Sequence, residues 1–275
     1  MRIRNVIPAA VLLTLCASAA WAGPRDIATY VTRLGGDSAT AQPYIDKFLR
    51  YVETATGWPA ASMKGSFLTS KKEALDYIAG AKPGIGMLEP QLYFELRKSQ
   101  GLTPILQVES AELNSPRLNV VVKDPAIKGL ADLKGKRLWT MLADYPRYLS
   151  KVVLGGQADA ADFTLKQIGQ ALKGVRAVLR GDCDATVLDD EQLAKAKEIT
   201  GGGDLRALYT SAALPPIVVV QFGSGAGVDK DALVKALTGM CGSGTGAAIC
   251  KEMHIGRFVP VNAAIFGDAQ GRYGE

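Results

Sequence analysis

Short apolar runs alternate along this chain with stretches whose apolar residues recur at helical spacing. The runs at 27–34, 60–68, 84–88, 103–109, 118–123, 136–140, 162–166, 185–188, 205–209 and 216–222 read as strands. Ala41, Tyr44, Ile45, Phe48, Val52 and Ala55 share one face of a helix that stops at Gly57. Further helices are expected over 71–79, 91–99, 147–154, 170–179, 191–199 and 229–240, with helical packing beyond. This order predicts an α/β fold of mostly parallel sheets flanked by helices.

Two of the extended runs, 118–123 and 216–222, lie roughly a hundred residues apart and suit two crossings between lobes that hinge around a cleft. The lobes expected are 23–118 with 222–275, and 119–221. The competing reading makes both runs ordinary core strands of a single sheet.

Residues 1–22 carry the marks of an export signal: Arg2 and Arg4, a short apolar core over 6–15, and Ala20-Trp-Ala22 as a cleavage site. The core is too short to span a bilayer, and Leu15 before Cys16 argues against lipid attachment. A soluble, monomeric protein of the periplasm is expected. Loss of Arg2 and Arg4 lowers the formal charge from +5 to +3, and the basic residues are scattered, so nucleic acid is not an expected partner. An apolar fraction of 48% provides ample core for two lobes.

Of the cysteines left after processing, Cys241 and Cys250 flank a glycine-rich loop, and an oxidising compartment permits a bridge between them. Cys183 lies between Asp182 and Asp184, whose charges disfavour a thiolate.

Catalytic chemistry finds little support. His254 is the single histidine and has apolar neighbours. No nucleophile elbow, His-Glu-x-x-His, Cys-x-x-Cys, phosphate loop or dinucleotide fingerprint occurs, so no enzyme, metal or cofactor is expected. Ligands collect at strand carboxyl ends in open α/β sheets. That rule singles out Glu89, the loop 144–148, and Asp189-Asp190. One aspartate of that pair caps the next helix, with Asp190 the natural candidate before Glu191, and the other is free for a ligand.

Asp-Leu-Lys-Gly-Lys at 132–136, Arg-Gly-Asp-Cys-Asp-Ala at 180–185 and Gly-Met-Leu-Glu-Pro at 86–90 resemble segments of type II periplasmic substrate-binding proteins of ABC importers, above all the phosphate/phosphonate-binding group. The resemblance implies a two-lobed fold and capture of a ligand for a membrane transporter. It departs where that group carries Ser-Thr-Ser-Gly to hold an oxyanion. Asp144-Tyr-Pro-Arg147 stands there instead. The expected contacts are therefore Met87, Leu88, Glu89, Tyr93, Tyr145, Arg147, Tyr148, Asp189 and Asp190, around a larger and partly apolar molecule. A lipid such as a sterol is the alternative cargo. A sensor domain and an enzyme derived from the scaffold are the remaining rivals.

Overall fold

The structure, a computed structural model, describes residues 25–32, 38–110, 112, 114, 116–225, 227–242 and 244–274. The export segment, Cys16 and Gly35-Gly36 lie outside the described residues. The chain begins with β1 (Ile27–Tyr30), α1 (Ser38–Thr56), β2 (Gly65–Leu68), α2 (Lys71–Ala81), β3 (Ile85–Leu88), α3 (Pro90–Leu96) and β4 (Thr103–Glu109). It then crosses to β5 (Leu118–Val122), β6 (Arg137–Thr140) and α4 (Pro146–Tyr148), which runs on into a π-helical turn over Leu149–Val153. Next come β7 (Thr164–Gln167), α5 (Ala171–Arg180), β8 (Ala185–Asp189), α6 (Asp190–Lys197) and β9 (Arg206–Thr210). The chain returns through β10 (Val218–Gln221) and ends with α7 (Lys230–Met240), α8 (Gly244–Glu252), β11 (Arg257–Val259) and α9 (Ala263–Tyr273).

Two sheets form, in the orders β11-β4-β10-β3-β1-β2 and β7-β6-β8-β5-β9, one to each lobe. Both are mixed rather than mostly parallel, which corrects the sequence expectation. β1, β2 and β3 pair in parallel, as do β6, β7 and β8, but β10 and β5 run against their neighbours. The cause is the crossing itself. β3 and β4 end at the cleft, so a strand that enters from the cleft must run the other way, and Val218 pairs with both Leu88 and Gln107. In the second lobe Leu118 likewise meets Asp189, the last residue of β8.

The crossings are not the apolar runs themselves. β5 and β10 each lie wholly within one sheet, and the chain passes between lobes at 110–117 and 211–217. These two connections hold each other. Leu214 N donates to Pro116 O at 2.9 Å, and Ser211 Oγ accepts from Leu118 N at 3.0 Å. Asn114 donates to Val108 O at 2.7 Å and accepts from Ile217 N at 3.0 Å.

Local chemistry sets the other boundaries. Residues 60–64 read as strand but do not extend, because the buried Glu53 carboxylate takes the N–H groups of Met63 at 2.7 Å and Ala61 at 3.0 Å. Ser70 and Glu73 form a reciprocal capping box that starts α2. Asp132 accepts from Lys128 N and Gly129 N, closing a tight turn over 128–132 before β6. Gly181, at φ +79°, ends α5 in the left-handed conformation a helix stop requires. Gly174 lets α5 lie close on β8, since a Cβ there would fall 2.1 Å from Thr186 Oγ1. The Cys241–Cys250 disulfide ties α8 to the end of α7. β11, which pairs with β4, has no counterpart in the sequence reading.

Candidate functional site

The carboxyl ends of the parallel strands in both sheets face one cleft, and a cavity of about 100 Å³ lies between them. That is several times the ~10–15 Å³ one water needs, but well below the ~300–1,000 Å³ of ordinary ligand pockets. In this closed arrangement the cavity does not admit a lipid. Its wall is largely apolar: Leu118, Met141, Leu142, Val187, Leu214 and Ile217. Thr32, Glu89, Gln91, Asn114, Thr140 and Gln192 add polar groups.

Each polar group is placed by the end of an element. Glu89 follows β3 and precedes Pro90, the first residue of α3, so its carboxylate leaves the sheet into the cleft. It accepts from Thr32 N at 2.7 Å and from Thr32 Oγ1 at 2.9 Å, and also from Gln91 Nε2. Thr140 closes β6 and accepts from Leu142 N at 3.1 Å, turning Met141 and Leu142 toward the cavity. Gln167 pins the same loop by donating to Met141 O and accepting from Asp144 N.

Tyr148, in α4, also lines the cavity, and its buried hydroxyl has no hydrogen-bond partner among the described residues. Burial and the nearby Glu89 charge push its ionisation upward against the pull of Arg272, so the group stays a neutral donor. A buried hydroxyl without a partner costs on the order of 1–3 kcal/mol.

Other predicted residues sit elsewhere. Met87 points away from the cleft and packs with Ile27, Phe67 and Ile85 in the core of the first lobe. The alternation of β3 puts odd positions on that face, a correction that the period of two already contains. Leu88 is fully buried on the cleft side. Tyr93 packs edge-on against Phe94 and Phe266 and does not reach the cavity. Tyr145 donates its hydroxyl to Tyr30 at 2.9 Å across the cleft. Arg147 lies 4.6 Å over the Tyr273 ring and donates to Tyr273 O.

The helix cap is Asp189 rather than Asp190. Asp189 already has the extended backbone a cap requires and accepts from Gln192 N, while Asp190 accepts from Asn119 Nδ2 at 2.7 Å. Neither aspartate lines the cavity. Cys183 is buried with Val175 and Leu188, and burial pushes its thiol up to about 11. His254 pairs with Glu112 near the end of α8, outside the cleft.

The sequence reading named Met141 and Leu142 of the apolar wall but missed Leu118, Val187, Leu214 and Ile217, and the polar Thr32, Gln91, Asn114, Thr140 and Gln192. Thr140 and Gln192 carried a usable signal, one ending a strand and the other opening a helix. Asn114 and Leu214 carried none, because they belong to the connections.

In the loop after β6 some of the N–H groups are committed or absent. Tyr145 N is spent on Leu142 O at 2.9 Å, and Pro146 has no N–H to offer. No group of three or more His, Cys, Asp or Glu that could hold a metal occurs among the described residues. No helix among them is long and apolar enough to cross a membrane.

Comparison with known proteins bears on this geometry. Among curated proteins none matches the sequence. A Xanthomonas citri protein solved bound to ATP shares 14% identity and a TM-score of 0.70, over 90% of this chain and 96% of its own. PhnD1 of Prochlorococcus marinus, solved with methylphosphonate, shares 13% identity and a TM-score of 0.60 over 89% and 96%. The binding-protein component of a Pseudomonas aeruginosa ABC phosphonate transporter gives 13% and 0.60, over 88% and 83%. These likenesses describe the fold, the two-lobed type II periplasmic-binding architecture. The model of the family described as ABC transporter, phosphonate, periplasmic substrate-binding protein matches residues 36–266. The chain therefore belongs to the periplasmic substrate-binding proteins of phosphonate-type ABC transporters.

Proposed function

We propose that this protein captures a small, partly apolar molecule between its lobes and hands it to a membrane permease, the ligand offering an uncharged acceptor to the Tyr148 hydroxyl. The lobes swing about the connections at 110–117 and 211–217, with β10 moving as part of the first-lobe sheet. One observation carries the reading: a buried hydroxyl without a partner in the wall of a mostly apolar cavity, at the carboxyl ends of the parallel strands in both sheets. Free phosphonate suits the site less well, because Tyr145 N is already bonded to Leu142 O and Pro146 brings no N–H to the start of α4.

Thermal-shift and calorimetric titration against a panel tests this. The panel holds methylphosphonate, inorganic phosphate, small amides, neutral amino acids and short esters. A compound with a carbonyl and a short apolar body should stabilise the protein. Tyr148→Phe should weaken it about fivefold, the share of one hydrogen bond worth ~1 kcal/mol. Saturation by methylphosphonate with an affinity that Tyr148→Phe leaves unchanged would overturn the proposal.

A further inference from the structure

The strand orders separate the two ends of the cleft. In the first lobe the connections leave β4 and enter β10, whereas β1 and β2 lie at the opposite end of the sheet. In the second lobe the connections join β5 and β9, whereas β6 lies on the far side of β8. The cleft therefore has a hinge end and a mouth end.

Three residues cross it at the mouth. Tyr30 closes β1, Lys71 opens α2 just after β2, and Tyr145 follows β6. The Tyr145 hydroxyl donates to the Tyr30 hydroxyl at 2.9 Å, and the rings meet edge-on with centroids 6.5 Å apart. Lys71 Nζ sits 4.7 Å over the Tyr145 ring and donates to Asp144 O at 2.9 Å. Glu95 of the first lobe anchors the ammonium at 2.7 Å. Both tyrosines are buried, which keeps their hydroxyls neutral and their hydrogen bond out of competition with water. None of the three residues lines the ligand cavity.

We infer that Tyr30, Tyr145 and Lys71 form a latch across the mouth of the cleft, which sets the balance between open and closed lobes without touching the ligand. The inference rests on reading the cleft as the ligand site. At the hinge end Arg272 of α9 holds Val152 O at 2.8 Å and Ala213 O, within the return connection, at 3.4 Å. Tyr145 thus acts on the lobes, where Tyr148, in the next turn, acts on the ligand.

The test measures an interlobe distance in the ligand-free full chain, so its outcome is separate from that of the ligand panel. Spin labels go on cysteines introduced at the exposed positions Lys72 and Lys173, one in each lobe. Tyr145→Phe keeps the ring and removes the hydrogen bond, and Tyr145→Phe with Lys71→Met removes the ammonium as well. Each step should raise the open-to-closed ratio about fivefold, seen as a growing long-distance component. Tyr148→Phe, which keeps the ring stacked on Phe94 and removes only a buried hydroxyl without a partner, should not raise the open-to-closed ratio. Distributions that superimpose for wild type and the double variant would overturn the latch. So would an equal shift from Tyr148→Phe.

Discussion

The Asp189 carboxylate accepts the Gln192 amide at 2.8 Å, and the Gln192 side chain accepts the Asp189 amide at 3.1 Å. This reciprocal pair starts α6 at the edge of the cleft, so a carboxylate positioned like a ligand contact is spent on the fold. Asp189→Ala should cost about 1 kcal/mol of stability and Asp189→Asn much less, since asparagine also caps. Urea unfolding of the two variants checks this, and equal losses would remove the capping role.

Arg272 ties the C-terminal helix to the second lobe through Val152 O and to the return connection through Ala213 O. Arg272→Met keeps the apolar stem and leaves these carbonyls unmet. The expected loss is about 2 kcal/mol, for hydrogen bonds from a charged donor. The midpoint in guanidinium chloride should fall with little change in slope.

Asp184 binds Arg137 through Nε at 3.1 Å and through its backbone N–H at 2.8 Å, and these contacts hold its carboxyl below the usual 3.8. A depressed native value means the stabilisation is present above the unfolded value and lost as pH falls through the native one. Wild type should therefore exceed Asp184→Asn in stability at neutral pH, and the gap should close below about pH 4. Because Arg137 is half exposed, the gap itself should stay within about 1 kcal/mol. Chemical unfolding from pH 7 to pH 3 reads it directly.

The Cys241–Cys250 bridge closes a loop with a sequence separation of 9. On loop-closure entropy, replacing both cysteines with alanine should remove about 2–3 kcal/mol. Cys183 should resist thiol reagents at pH 8 until the chain unfolds, because its thiol is buried and pushed up to about 11. Labelling of the native protein at the rate of free cysteine would contradict this.

The two lobes were legible in the alternation of strands and helices, and the motifs that carried the family resemblance turn out to build structure. Asp132 folds a turn, Gly181 stops α5, and Asp184 joins β8 to the start of β6. Local signals of this kind survive in sequence because each acts within a few residues or on an adjacent strand. The cavity was less legible. Its wall gathers Thr32, Asn114, Thr140 and Leu214 from four separate segments, and only the sheet order brings them together. Sheet direction was misread for the same reason, since antiparallel entry follows from the crossings and not from any residue pattern.

β10 has a consequence for assembly. It lies between β3 and β4, which are not themselves paired, and it is made of Val218–Gln221, far downstream of both. A chain that emerges N-terminus first therefore carries an unfilled slot with two bare strand edges while 118–210 is still being delivered. The lobe begun first is the one finished last, and until the slot fills it is the part of the molecule most exposed to mispairing with another chain.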